Sequence, residues 1–288
     1  MNRNIPAISA AVIALSVFTA GCDSPKQYAS FAQLGSTYAA AIDRVLVIAG
    51  NLKIDATSEQ LLADKRLAGP TLASYRAVSA VDEERLKVIN QLRAHVHLMG
   101  VYFSALNDLA TSTAPDTAAT SAAGAAQGLE QAGLKLRAGN VVSPIAKIVV
   151  ASVIRGALRR ELEARQVTIR TELSLQATLI DEMSGIVQHD IGVLKERLEN
   201  RVVIGPLIAS SAIADPDLWV FNRRIVLNLG AAPQELQIAS AAVKKLRLAF
   251  ENLIEGKLTA DRVNSVLTDF NAILAVGDTL KKDLGGKS

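Results

Sequence analysis

The chain has little of what most reaction chemistry is built from. Among its 288 residues are one cysteine, three histidines and one tryptophan. A single cysteine excludes an intramolecular disulfide, so the fold has to stand on packing. The histidines never fall in Glu-x-x-His, and neither His-Glu-x-x-His nor Cys-x-x-Cys-His occurs. The ferritin-like di-iron, common zinc-peptidase and c-type haem patterns are therefore missing. No Gly-x-Ser-x-Gly elbow is present, and nothing nominates a nucleophile or a general base, so the sequence implies neither an enzyme nor a cofactor. Aromatic residues make up only 4% of the chain, which leaves little of the material sheets favour. Excess charge is small too: 31 basic against 28 acidic side chains give +3, too slight a surplus for a nucleic-acid footprint.

What is present is apolar and helical. Half of the residues are hydrophobic, enough for a substantial core and too many for a disordered chain. The first 21 residues read as an export signal, with Arg3 in a short polar start, an apolar stretch from Ile5 to Phe18, and small residues before the cut. That stretch is too short for a good permanent spanning helix. Thr19-Ala20-Gly21-Cys22 then resembles the lipobox of bacterial lipoproteins, with Gly21 and Cys22 at its strictest positions and Thr19 where Leu is preferred. The resemblance covers about twenty residues and concerns targeting alone. It implies that Cys22 becomes the first mature residue, with diacylglycerol on its sulfur and a further acyl chain on its amine. At ~0.8 kcal/mol per buried CH₂, two or three such chains hold a protein on a bilayer essentially permanently. Asp23 occupies the place where, in lipoproteins of bacteria with two membranes, Asp resembles an inner-membrane retention signal. The expected location is thus the inner membrane facing the periplasm, with the outer membrane as the alternative. Residues 22–28 read as a short tether and 29–284 as one folded domain, followed by a tail over 285–288.

Heptad periodicity runs through nearly all of that domain. Phe31, Tyr38, Val45 and Leu52 recur every seventh residue, with Leu34, Ala41 and Ile48 beside them. After Gly69-Pro70 a second helix carries Val78, Leu92, Met99 and Leu106 on one track, with Arg85 as the exception. Val81, Val88, His95, Tyr102 and Leu109 form its other track, and the helix should stop before Pro115. Residues 116–140 are rich in Ala and Gly and read as a thin helix or a connector. Ser143-Pro144 opens a long helix whose face includes Leu162, Ile169, Leu173, Ile180, Val187 and Leu194. Gly205-Pro206 should end it; about sixty residues at 1.5 Å each would span ~90 Å. Gln176 and Asp190 interrupt its seam, as residues that fix register do. Thr171, Thr178, Gly185 and Gly192 form a small-residue stripe suited to a closely approaching neighbour or a bend. Shorter helices follow Asp215-Pro216, Pro233 and Thr259, the second ending at Gly256. The expected fold is all-α: one elongated helical bundle with long coiled-coil-like helices.

Candidate sites are few. His95, Met99 and Tyr102 share an apolar face and could line a ligand, although a hydrogen-bonded core histidine is the commoner use of such a position. Arg155, Arg159 and Arg160 alternate with Glu161 and Glu163. Their plain reading is a salt-bridged outer face, and their sharper one a phospholipid-headgroup contact. The leading expectation is a non-enzymatic, membrane-tethered protein that works by binding an envelope protein or a second copy of itself. A membrane-remodelling, pore-forming-like protein is the second reading. Thr117 to Leu129 and Ile148 to Ile154 carry no charge, but Glu130, Lys135, Arg137 and Lys147 interrupt the apolar stretches. The third is a small-molecule or cofactor carrier around His95.

Overall fold

A 40-residue helix, α1 (Ser24–Ala63), opens the computed structural model, which describes residues 24–63, 71–111, 115–137, 155–209, 212–229 and 232–285. Cys22, Asp23 and the export signal lie outside the described residues. Within the stretch read as a tether over 22–28, the described residues, from Ser24 on, are helical. The heptad positions explain the rest of α1: Phe31, Leu34, Tyr38, Ala41, Val45 and Leu52 are all buried. α1 is the central helix, packed against α2 (Thr71–Thr111), α4 (Arg155–Leu198), α7 (Ala232–Ile254) and α8 (Ala260–Gly285). Among the described residues there is helix, turn and bend but no strand, so the fold is all-α.

Side chains fix how the helices run. Arg93 of α2 grips Asp43 of α1, and Lys53 lies 3.8 Å from Asp82, so α1 and α2 are antiparallel. Gly35 lets them close: a Cβ there would run into the Phe103 ring. Phe31 meets Phe103 edge-on at 5.5 Å and Phe250 at 5.7 Å, and Tyr38 meets Phe270 at 5.5 Å. These contacts join α1, α2, α7 and α8 in one core. Each such side chain, fully buried, contributes about 1.5–3 kcal/mol. α3 (Pro115–Arg137) turns back along α2, with Gly128 against Leu98, and realises the thin-helix reading of the Ala/Gly-rich segment. α4 runs antiparallel to α2 and hence alongside α3 in the same direction, shown by Arg85 to Asp190 and His95 to Glu172. α7 returns along α4, where Ser240 and Lys244 bind Asp181 and Arg247 meets Ser174.

Three caps behave as their residues dictate. Asp215 accepts the Leu218 N–H at 2.9 Å and starts α6 (Pro216–Leu229), and Thr259 accepts the Arg262 N–H at 3.4 Å at the start of α8. Gly256, at φ +67°, ends α7: the Lys257 N–H bonds Asn252 O at 2.7 Å and the Gly256 N–H bonds Leu253 O. That is a Schellman turn, which needs the left-handed residue glycine supplies.

Three expectations require correction. Gly205-Pro206 does not stop the long helix. Gly205 is helical (φ −54°, ψ −47°), and the chain passes through a π segment, Glu199–Ile204, into α5 (Gly205–Ala209). Pro206 has no N–H for the carbonyl four residues earlier and its ring crowds that turn. The helix widens instead of ending, and the Gly205 N–H reaches back to Asn200 O. The stripe Thr171, Thr178, Gly185, Gly192 admits no close neighbour: Thr178 and both glycines are exposed, and a Cβ on either glycine would meet nothing within 4 Å. The outer track of α2 is buried only in its second half, since Val81 and Val88 are 61% and 54% exposed. Gly285 is the last described residue of α8, and 286–288 fall outside the described residues.

Candidate functional site

The positions that break the heptad seams are the ones that meet. His95 of α2 and Gln176 of α4 are each wholly buried, and Glu172 almost so. One turn separates Glu172 from Gln176 on α4, so both side chains leave the same face and reach one imidazole. His95 Nε2 lies 2.9 Å from Glu172 Oε2, and His95 Nδ1 lies 2.8 Å from Gln176 Nε2. Glu172 can lie here because α3 presents Gly133, where an added Cβ would collide with the carboxylate. A second pair follows the same logic: Arg85, the exception on α2, bonds Asp190, the exception on α4, at 2.7 Å.

Hydrogen-bond direction gives the cluster two arrangements. With the proton on Nε2, the neutral imidazole donates to Glu172 and accepts the Gln176 amide N–H at Nδ1. Gln176 Oε1 is then buried without a partner. Half a turn of the amide sets Oε1 against Nδ1, which then donates, with one further proton shared between Nε2 and Glu172. Either way both ring nitrogens are occupied by protein, and none is free to ligate a haem or metal. An imidazole–carboxylate pair could move a proton, but here it is sealed from solvent.

The other two predicted ligand-lining residues join the core without joining the cluster. Met99 and Tyr102 are wholly buried. The Tyr102 hydroxyl meets no hydrogen-bond partner among the described residues, nor does that of Tyr38. Burial holds both hydroxyls well above their ordinary range, and at Tyr102 the nearby Glu161 pushes the same way. No known protein family, curated protein or solved structure matches this chain. What it does must therefore be argued from these residues alone.

Of the remaining candidates, Arg155, Arg159 and Arg160 fall in the first turns of α4, and their side chains lie outside the description. Arg165, the next basic residue, lies one turn from Glu161, with its Nε 3.4 Å from Glu161 Oε1 and both atoms shielded from solvent. His97 and His189 are exposed, as their places off the seams imply.

A surface feature went unread in the sequence. Val202 to Ala214 contains no charged residue. Within it Ile204, Leu207 and Ile208 project from the continued helix at 38%, 54% and 80% exposure. α6 folds against the π segment, with the Trp219 indole N–H donating to Val203 O at 3.0 Å, and leaves Leu218 and Phe221 each 38% exposed. Arg201 anchors this end to α1 through a bidentate pair with Glu59. Reading Gly205-Pro206 as a terminator hid the feature, since a loop would not present a helical apolar face.

Proposed function

We propose that this chain is a non-enzymatic, membrane-tethered interaction protein of the cell envelope. Acyl chains on Cys22 anchor it, Asp23 keeps it in the inner membrane, and an elongated helical bundle carries a binding surface away from the bilayer. One observation carries the reading: large apolar side chains stay uncovered where α4 continues past Pro206, beside the end of α1 remote from Ser24. Thirty-five residues of helix between Ser24 and Glu59 correspond to ~50 Å at 1.5 Å each. An exposed Ile208, with Leu207 and Phe221, is costly to leave in water and is the kind of patch that a partner protein covers. The half-covered track of α2, at Val81 and Val88, offers a second apolar strip in heptad register.

Support also comes from how the polar groups are spent. His95, Glu172 and Gln176 bond to one another inside the bundle, and Arg85 bonds to Asp190, so these groups set helix register. No described helix is long and apolar enough to cross a membrane, so attachment in this account rests on Cys22. Photocrosslinking residues placed singly at Ile208, Val81 and Gly192 in the full chain, in intact cells, test the proposal. A discrete adduct with a partner protein or a second copy is expected from Ile208 or Val81, and none from Gly192 on the open face of α4. Silence at both apolar positions would overturn it.

A further inference from the structure

The helices differ sharply in how firmly they are held. α1, α2, α4, α7 and α8 bury Phe, Tyr, Leu, Ile and Val in quantity and exchange ion pairs across their contacts. The buried face of α3 is Ala118, Ala122, Ala126, Leu129 and Gly133, with Leu129 the only large side chain fully buried among the described residues and Leu136 half-buried. Alanine and glycine remove little apolar surface from water. Gly124, Gly128 and Gly133 also weaken the helix itself, each by about as much as any residue but proline. A segment with so little buried area opens at lower free energy than the bundle around it. What lies beneath matters, because Gly133 rests on the Glu172 carboxylate that holds His95.

We propose that α3 is a strap: it undocks and unwinds as a unit from α2 and α4 while the remaining helices stay folded, and this opening gives solvent access to the buried His95–Glu172 pair. In the docked state the pair is shut away. In the undocked state the carboxylate and imidazole face water, and Leu98 on α2 loses the cover of Gly128. The device gates an acid–base pair by a packing equilibrium, and it stands independently of the interaction role proposed above.

Two readouts on the full chain test it together: hydrogen exchange of α3 amides, and carbethoxylation of His95 by diethyl pyrocarbonate, with the exposed His97 and His189 as internal references. Gly124 has open space where a side chain would go. Gly124→Ala therefore favours the helical, docked state, and should slow α3 exchange and His95 modification by the same factor, about fivefold. Leu129→Ala should speed both by about thirtyfold. Exchange in α1, α4 and α7 and the reactivity of His97 and His189 should stay unchanged in both variants. The proposal fails if α3 amides exchange in step with the rest of the bundle. It fails equally if His95 modification ignores both substitutions, or if His95 does not react while α3 exchanges.

Discussion

Removing the Glu172 carboxylate should cost more than removing the whole polar cluster. Glu172→Met takes away the acceptor of the His95 Nε2 proton and leaves a buried N–H facing apolar side chains. Breaking one side of a buried charged or hydrogen-bonded pair typically costs about 3–5 kcal/mol, because the abandoned group keeps its desolvation penalty. Gln176→Met alone leaves Nδ1 without its donor and, by the same reasoning for a neutral group, costs about 1–3 kcal/mol. The triple change His95→Leu, Glu172→Met, Gln176→Met removes every polar atom of the cluster at similar volume. It should recover to within about 1 kcal/mol of the parent, or exceed it, as replacements of whole buried pairs often do. Urea unfolding followed by far-ultraviolet circular dichroism gives the energies. Fluorescence of Trp219, the single tryptophan, checks from the far end of the bundle that the transition is cooperative. A triple variant as unstable as Glu172→Met would refute the reasoning, since the loss would then come from shape and packing rather than from unpaired polar groups.

Three further outcomes follow from the same structure. Tyr102→Phe deletes a buried hydroxyl with no partner, so stability should be unchanged or rise by up to about 2 kcal/mol in the same urea titration. Gly133→Ala improves helix propensity but drives a methyl into the Glu172 carboxylate, and should destabilise by about 1–2 kcal/mol. Burial, reinforced by Glu59, holds the Asp55 carboxyl above its ordinary range. A raised carboxyl is protonated more readily folded than unfolded, so it lowers stability at neutral pH, and that penalty fades as pH falls through its folded value toward the ordinary one. Asp55→Asn should melt higher than the parent near neutral pH, with the two melting curves converging below about pH 4.

Much of the bundle was legible in the sequence because a seven-residue repeat speaks directly about burial. Phe31, Tyr38, Leu52, Leu173 and Ile180 are in the core for the reason their spacing gives. Turn chemistry was legible too: Asp215, Gly256 and Thr259 do locally what their side chains or backbones allow. Periodicity fails where the outcome depends on a second helix. It marks Arg85, Gln176 and Asp190 as exceptions and places His95 on a track of its own helix, yet their pairing appears only once α2 and α4 lie antiparallel. Glu172 gave no signal at all, since a charge beside Leu173 looks like an ordinary flank of the stripe until Gly133 makes room for it. Val81 and Val88 carry the same pattern as Tyr102 and Leu109, but burial also needs a neighbour, and α3 turns back along only part of α2. At Pro206 the breaker rule met a helix held just before the proline, by Glu59 through Arg201 and by Trp219 through Val203, and a π turn absorbed the misfit.

The anchor at Cys22 is the point on which the functional account turns, and mass spectrometry of the first peptide of the mature protein, taken from a membrane fraction, tests it most directly. The account predicts a peptide that begins at Cys22 and carries diacylglycerol and a further acyl chain, with Cys22→Ser released from the membrane. A peptide that begins at Met1, or one that begins at Cys22 with a bare thiol and amine, would contradict it.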